Sequence, residues 1–268
     1  IHEGSFQKED SLAKTVHGAQ ILNLRSGDAG QEFTFLSWSG PEIDAIADSY
    51  KKVFCEEEAL WLLNGRHASR EALKTVAPKA RYIHIATHGF VAPESIPSLA
   101  DRDSKHDKSV LTSPSDKSCQ RRGMAPMTLC GIALAGANCE PDHYGRVVGL
   151  MTAEELATLD LTNCELAVLS ACKTNVGERR AGQGVASLQQ ALFAAGARSA
   201  LTSLWDVPDE PTKRLMESFY YKIWVEGMPK ARALWQAKLE LRKECDDDGK
   251  PRYRIRDWAG WVLTGDPE

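Results

Sequence analysis

The chain has 268 residues, 43% hydrophobic and 26% charged, an ordinary globular composition that is long enough for one large core. Its formal charge of -4 and pI near 6.0 leave no basic footprint for nucleic acid, and no apolar run approaches the roughly 18 residues of a membrane span. Seven scattered cysteines without a CxxC pair read as thiols kept reduced in a cytoplasm, not as a disulfide framework.

Ile1 is not followed by a charged and apolar leader, so the sequence reads as a piece of a longer protein. Residues 1–19 are expected to be a lead-in from a preceding domain, and residues 20–268 a single domain. The first expected strand is Gln20 to Leu24. Ile43, Ala47, Tyr50 and Phe54 then recur at helical spacing behind Ser39 and Pro41, residue types that start helices. Strands are expected at Leu60 to Leu63 and at Arg81 to Thr87, where β-branched residues alternate up to His88-Gly89. Ala92 to Gly123 is rich in Ser, Asp and Lys and has neither apolar period, so it reads as a long polar insertion. Its Arg121-Arg122-Gly123 is a site where self-cleavage is conceivable.

A further strand is expected at Thr128 to Ala135. Thr152 and Glu155 have capping-box spacing, and Met151 can staple onto Leu156 to open a short helix. The buried strand Glu165 to Ala171 runs into Cys172. Val185, Leu188 and Leu192 make one helical face closed by Gly196, and Leu215, Phe219 and Ile223 do the same before Gly227. Strands at Ser199 to Trp205 and Gly260 to Leu263 complete an α/β pattern: a mainly parallel central sheet with helices on both faces.

Two positions in this pattern can do chemistry together. His88 and Cys172, 84 positions apart, each stand at the carboxyl end of an expected strand. Ligands of open parallel sheets bind outside those ends. A thiol needs a base to become a nucleophile near pH 7, and a histidine can take that proton and later return it to a leaving amine. The backbone N–H groups of Gly89 and Cys172 can hold the oxyanion of a tetrahedral intermediate. The bland alternatives are a small buried cysteine and a structural histidine. His84-x-x-x-His88 does not read as a metal site, because i, i+4 histidines converge on a helix and this segment reads as a strand. His84 is instead expected to be a packed or hydrogen-bonded neighbour. No metal or cofactor is expected.

Six blocks in this order resemble the CHAT domain, a caspase-like cysteine peptidase family related to separases and usually found behind tetratricopeptide repeats. They are His84-Ile85-Ala86-Thr87-His88-Gly89, Gly131 to Ala137, Leu169-Ser170-Ala171-Cys172-Lys173-Thr174, Ala194-Ala195-Gly196-Ala197, Ser203 to Asp209 and Trp258-Ala259-Gly260-Trp261. The resemblance runs from about Gln20 to Gly265 and implies a caspase-like fold with His88 and Cys172 as the catalytic pair. It also implies a protein substrate and a regulatory repeat domain in the full-length chain, while the charge and the lack of a long apolar run imply no direct contact with nucleic acid or membrane. Leu204-Trp205-Asp206-Val207-x-Asp209 is similar to the separase run whose acidic pocket accepts a substrate arginine, which implies that role for Asp206 or Asp209. The competing reading is that Asp209 or Glu210, ahead of Pro211, caps a helix. At the level of function, the rivals are an interaction scaffold without turnover and a cysteine amidase or acyltransferase acting on a small molecule.

Overall fold

A computed structural model describes residues 33–54, 60–91, 126–143, 147–170 and 188–268. The expected strand Gln20 to Leu24, the polar insertion with Arg121-Arg122-Gly123, and Cys172 lie outside the described residues.

Three parallel strands make the centre. Strands β1 (Tyr82–Ala86), β5 (Leu166–Ser170) and β6 (Ser199–Ser203) lie side by side, and β7 (Trp261–Gly265) closes the sheet antiparallel to β6. A second, antiparallel sheet is formed by β2 (Gly89–Val91), β3 (Cys130–Ala133) and β4 (Leu150–Thr152).

Side-chain alternation along the central strands sorts the core into two layers. Leu166, Val168 and Leu201 pack against helices α1 (Ser39–Phe54), α4 (Asp209–Trp224) and α5 (Lys230–Lys243). Ala167, Leu169 and Ala200 face the other way, toward Leu73 of α2 (Arg70–Val76), Leu156 of α3 (Ala153–Leu156) and the helical residues 188–194. The sheet is therefore mainly parallel with helices on both faces. Each fully buried Leu or Phe in these layers contributes about 1.5–3 kcal/mol relative to exposure.

Local signals act as their chemistry dictates. The Thr152 side chain accepts from the Glu155 amide while the Glu155 carboxylate accepts from the Thr152 amide, which makes the capping box complete. Gly196 ends the helix of residues 188–194 at φ 106°, a conformation costly for any residue with a Cβ.

Two expectations are corrected. Leu60 to Leu63 is not a strand: these residues are irregular, with Trp61 and Leu62 exposed, and they wall a cavity beside β1. A four-residue apolar run satisfies a cavity wall as well as a ladder. Thr128 to Ala135 contains a strand, β3, but it pairs antiparallel with β2 and β4 outside the central sheet.

The second sheet leaves no room at Gly149. A Cβ there would sit 1.9 Å from the Ala137 backbone nitrogen and 2.4 Å from the Gly136 carbonyl carbon. Gly149→Ala must displace backbone, so it is expected to destabilise the protein by about 3 kcal/mol, the upper end of ordinary overpacking. Thermal unfolding checks this, and an unchanged Tm would contradict it.

Candidate active site

The chain changes sheets at the end of β1. Ala86 pairs with Ser170, and the Thr87 amide extends the parallel ladder by donating to the Ser170 carbonyl at 3.0 Å. The Thr87 hydroxyl then donates to the carbonyl of Ala133 in β3, and the Ala133 amide donates back to the His88 carbonyl at 2.8 Å. Gly89 follows as the first residue of β2, opposite Ile132. His88 is thus pinned on both sides at the junction of the two sheets.

His88 is buried, 7% exposed as a residue, with its ring centroid 5.5 Å from that of Phe33. His88 Nε2 lies 2.6 Å from the Thr34 carbonyl oxygen. A carbonyl can only accept, so Nε2 is the nitrogen that carries the proton. In the neutral ring the basic nitrogen is therefore Nδ1. The Phe33–Thr34 segment is itself held: Phe33 packs with Phe90, Ala133 and Ala137, and the Asn138 side chain donates to the Phe33 carbonyl at 3.4 Å.

Cys172 follows Ser170 by two residues, as His88 follows Ala86, and Ser170 and Ala86 are register partners in adjacent parallel strands. Among the described cysteines Cys139, Cys164 and Cys245 are free thiols. Burial pushes the Cys164 thiol up to about 11, which keeps it protonated and inert near neutral pH.

Asp206 is exposed in the connection that leaves β6, the strand next to β5. Asp209 is the first helical residue of α4 and Pro208 is its N-cap, so Asp209 is not the capping residue. In the first turn its charge still favours the helix dipole. Glu210 belongs to a separate cluster: its carboxylate accepts from the Tyr253 hydroxyl at 2.7 Å and lies 3.5 Å from both Arg214 and Arg252. The connection itself is fixed by Trp205, whose indole donates to the Arg256 carbonyl at 2.7 Å. Gly260 faces that indole, and a Cβ there would come within 2.7 Å of it. Two of the sequence blocks therefore meet through a tryptophan lying against a glycine.

His84 and His88 have different partners. His84 Nε2 is 2.9 Å from Glu42 Oε1 and its Nδ1 is 3.2 Å from the Tyr220 hydroxyl. The expectation of a hydrogen-bonded neighbour holds for His84. A cavity of about 720 Å³ runs beside β1, with Ile46, Leu60, Leu63, His84, His88 and Tyr220 among its walls. The Thr34 carbonyl and Glu42 were not foreseen. A backbone acceptor leaves no mark in residue type, and an acidic residue in a first helical turn ordinarily reads as a solvated end.

No described helix is long and apolar enough to cross a membrane. A family model described as the CHAT domain matches residues 14–266. Tetratricopeptide repeat protein 28 of Mus musculus is 31% identical over 116 residues, which is 43% of this chain and 4% of that protein. The Homo sapiens protein of the same name is 30% identical over 116 residues, again 43% of this chain and 4% of its own length. The chain thus matches only a small part of each relative.

Proposed function

This chain belongs to the CHAT domain family, which is caspase-like and peptidase-related, and from that premise we propose that it is a cysteine endopeptidase that cuts a protein partner through Cys172 and His88. The observation that carries the reading is the imidazole of His88 at the end of β1, with Nε2 committed to the Thr34 carbonyl.

In the proposed reaction Nδ1 of His88 takes the Cys172 proton, and the thiolate attacks the scissile carbonyl carbon. The N–H groups of Gly89 and Cys172 receive the oxyanion. Collapse breaks the C–N bond, and the imidazolium returns its proton to the departing amine, which leaves a thioester on Cys172. Water, deprotonated by His88, then attacks the thioester carbonyl and releases the new carboxyl terminus with the thiol restored. The Thr34 carbonyl keeps Nδ1 the basic nitrogen throughout and accepts a stronger, charge-assisted bond when the ring is cationic. Neither metal nor cofactor enters the scheme.

A thiol nucleophile suits a reducing cytoplasm. The names of the relatives support a tetratricopeptide repeat domain elsewhere in the full-length protein, positioned to regulate the peptidase. Incubating the purified chain under reducing conditions with a peptide library tests the reading. We expect cleaved products that disappear after thiol alkylation. An intact library under conditions where a control cysteine peptidase cuts it would favour the interaction scaffold, and release of small amides without peptide cleavage would favour an amidase.

A further inference from the structure

Behind His88 lies a second polar cluster that the proposed reaction does not use. Glu42 in the first turn of α1, His84 in β1 and Tyr220 in α4 meet where three elements pack together. The Glu42 and His84 side chains are 4% and 10% exposed. Burial pushes the Tyr220 hydroxyl well above its usual range, so it stays a protonated donor. With that hydroxyl donating to His84 Nδ1 at 3.2 Å, the Nε2 proton points to the Glu42 carboxylate at 2.9 Å. Aromatic contacts continue the joint: the Tyr50 and Trp224 centroids are 5.3 Å apart, and those of Tyr82 and Trp224 are 5.4 Å apart.

The same two segments are joined a second time. Residues 33–54 contribute both the Thr34 carbonyl and Glu42, while residues 82–88 contribute both His88 and His84. From Leu36 to Glu42 the chain is a hydrogen-bonded turn. The Ser39 amide and hydroxyl both donate to the Leu36 carbonyl, at 3.3 and 2.9 Å, and the Glu42 amide donates to the Trp38 carbonyl at 2.8 Å. On the other side, the β1 ladder and the Thr87–Ser170 bond fix the run from His84 to His88. A shift of Glu42 toward or away from His84 is therefore passed along this turn toward the Thr34 carbonyl at His88. Asn138 also holds Phe33, but through a long 3.4 Å bond to a neutral amide. The Glu42–His84 contact is shorter, at 2.9 Å, and lies between two buried side chains, where a hydrogen bond is stronger than at the surface.

We infer that Glu42, with His84 and Tyr220, is a positioning residue for the active-site histidine: its reach to His84 sets the Thr34 carbonyl against His88 Nε2 and so selects the His88 tautomer. This rests on His88 acting as the base of the proposed peptidase.

Two conservative variants separate reach from charge. Glu42→Asp keeps the charge but withdraws the carboxylate by about 1.5 Å, one carbon–carbon bond. Glu42→Gln keeps the reach and an acceptor oxygen. We expect kcat on a cleaved peptide to fall by about 10- to 100-fold in Glu42→Asp with KM unchanged, since ångström misplacements remote from the chemistry cost that much. Glu42→Gln should stay close to the parent. In histidine-labelled protein, ¹⁵N NMR should show His88 protonated at Nε2 in the parent and in Glu42→Gln, and a mixture of tautomers in Glu42→Asp. If Glu42→Asp does not fold, Tyr220→Phe replaces it with the same expected direction. A parental His88 tautomer in the reach-shortened variant, or an equal loss in Glu42→Gln, would overturn the inference. If the parent cleaves no peptide, the proposed activity fails while the NMR comparison still decides the positioning role.

Discussion

Cys172→Ala is expected to abolish peptide hydrolysis, with a fall in kcat of about 10³- to 10⁶-fold. Removing a nucleophile leaves only the catalysis that binding and oxyanion contacts supply. His88→Ala should fall by a comparable factor, because a thiol without its base is only a few per cent ionised near neutral pH and the leaving amine then has no proton donor. The two losses should not add, since the groups act as one unit. Stability should separate the variants. His88→Ala removes a ring packed beside Phe33 and the hydrogen bond from Nε2 to the Thr34 carbonyl, which costs about 0.5–1.5 kcal/mol for the bond alone. Steady-state kinetics together with thermal unfolding checks both. Parental turnover in purified Cys172→Ala would contradict the assignment.

The second large effect concerns specificity, which we propose is arginine before the cut bond. Asp206 and Asp209 flank the connection from β6 to α4 beside the strand that leads to Cys172. A carboxylate closed off by a bound peptide pairs bidentately with a guanidinium, and losing such a partner costs about 2–5 kcal/mol, tens to thousands of times in rate. Of the two, Asp206 is the more exposed, and Asp209 stands in the first position of α4, where its charge complements the helix dipole. Asp206→Asn should therefore lose arginine substrates selectively. Asp209→Asn should keep the preference and lose about 0.3–1 kcal/mol of stability. A peptide library scan of the parent and both variants decides. A parental preference for apolar or acidic residues would dismiss the acidic pocket and leave both aspartates as loop and helix-end residues.

The central sheet was legible because β5 is an aliphatic run, β1 alternates isoleucine with Tyr82 and His84, and β6 sets small and aliphatic residues between turn signals. The helices Ser39–Phe54 and Asp209–Trp224 were legible from their apolar spacing. The second sheet was not: β2 and β4 have three residues each, too short for any period, and only the pairing with β3 makes them strands. Leu60 to Leu63 misled because an apolar wall and an apolar strand share a composition. The helix Lys230–Lys243 gives little sequence signal because charged residues interleave its apolar positions, and Ala233, Ala237 and Leu241 are buried against α4.

In the candidate site, the side chains proposed to do chemistry, His88 and Cys172, announce themselves by residue type at the ends of expected strands. What holds His88 does not. The Thr34 carbonyl is backbone, and the pairing of Glu42 with His84 spans 42 positions that no local pattern connects. The contact of Trp205 with Gly260 is of the same kind, since each residue reads as ordinary until the sheet brings β6 and β7 together.

The pairing of His88 with Cys172 is tested most directly by labelling the purified chain with a peptide-like thiol-reactive probe ending in arginine and mapping the adduct by mass spectrometry. We expect rapid labelling at one residue, Cys172, in the parent and labelling at least about 10²-fold slower in His88→Ala, the lower bound expected for loss of a positioned base. Cys164 should remain unlabelled in the folded protein, because burial keeps its thiol protonated. Labelling at a different cysteine, or equal rates on Cys172 in the parent and His88→Ala, would contradict the pairing of His88 with Cys172.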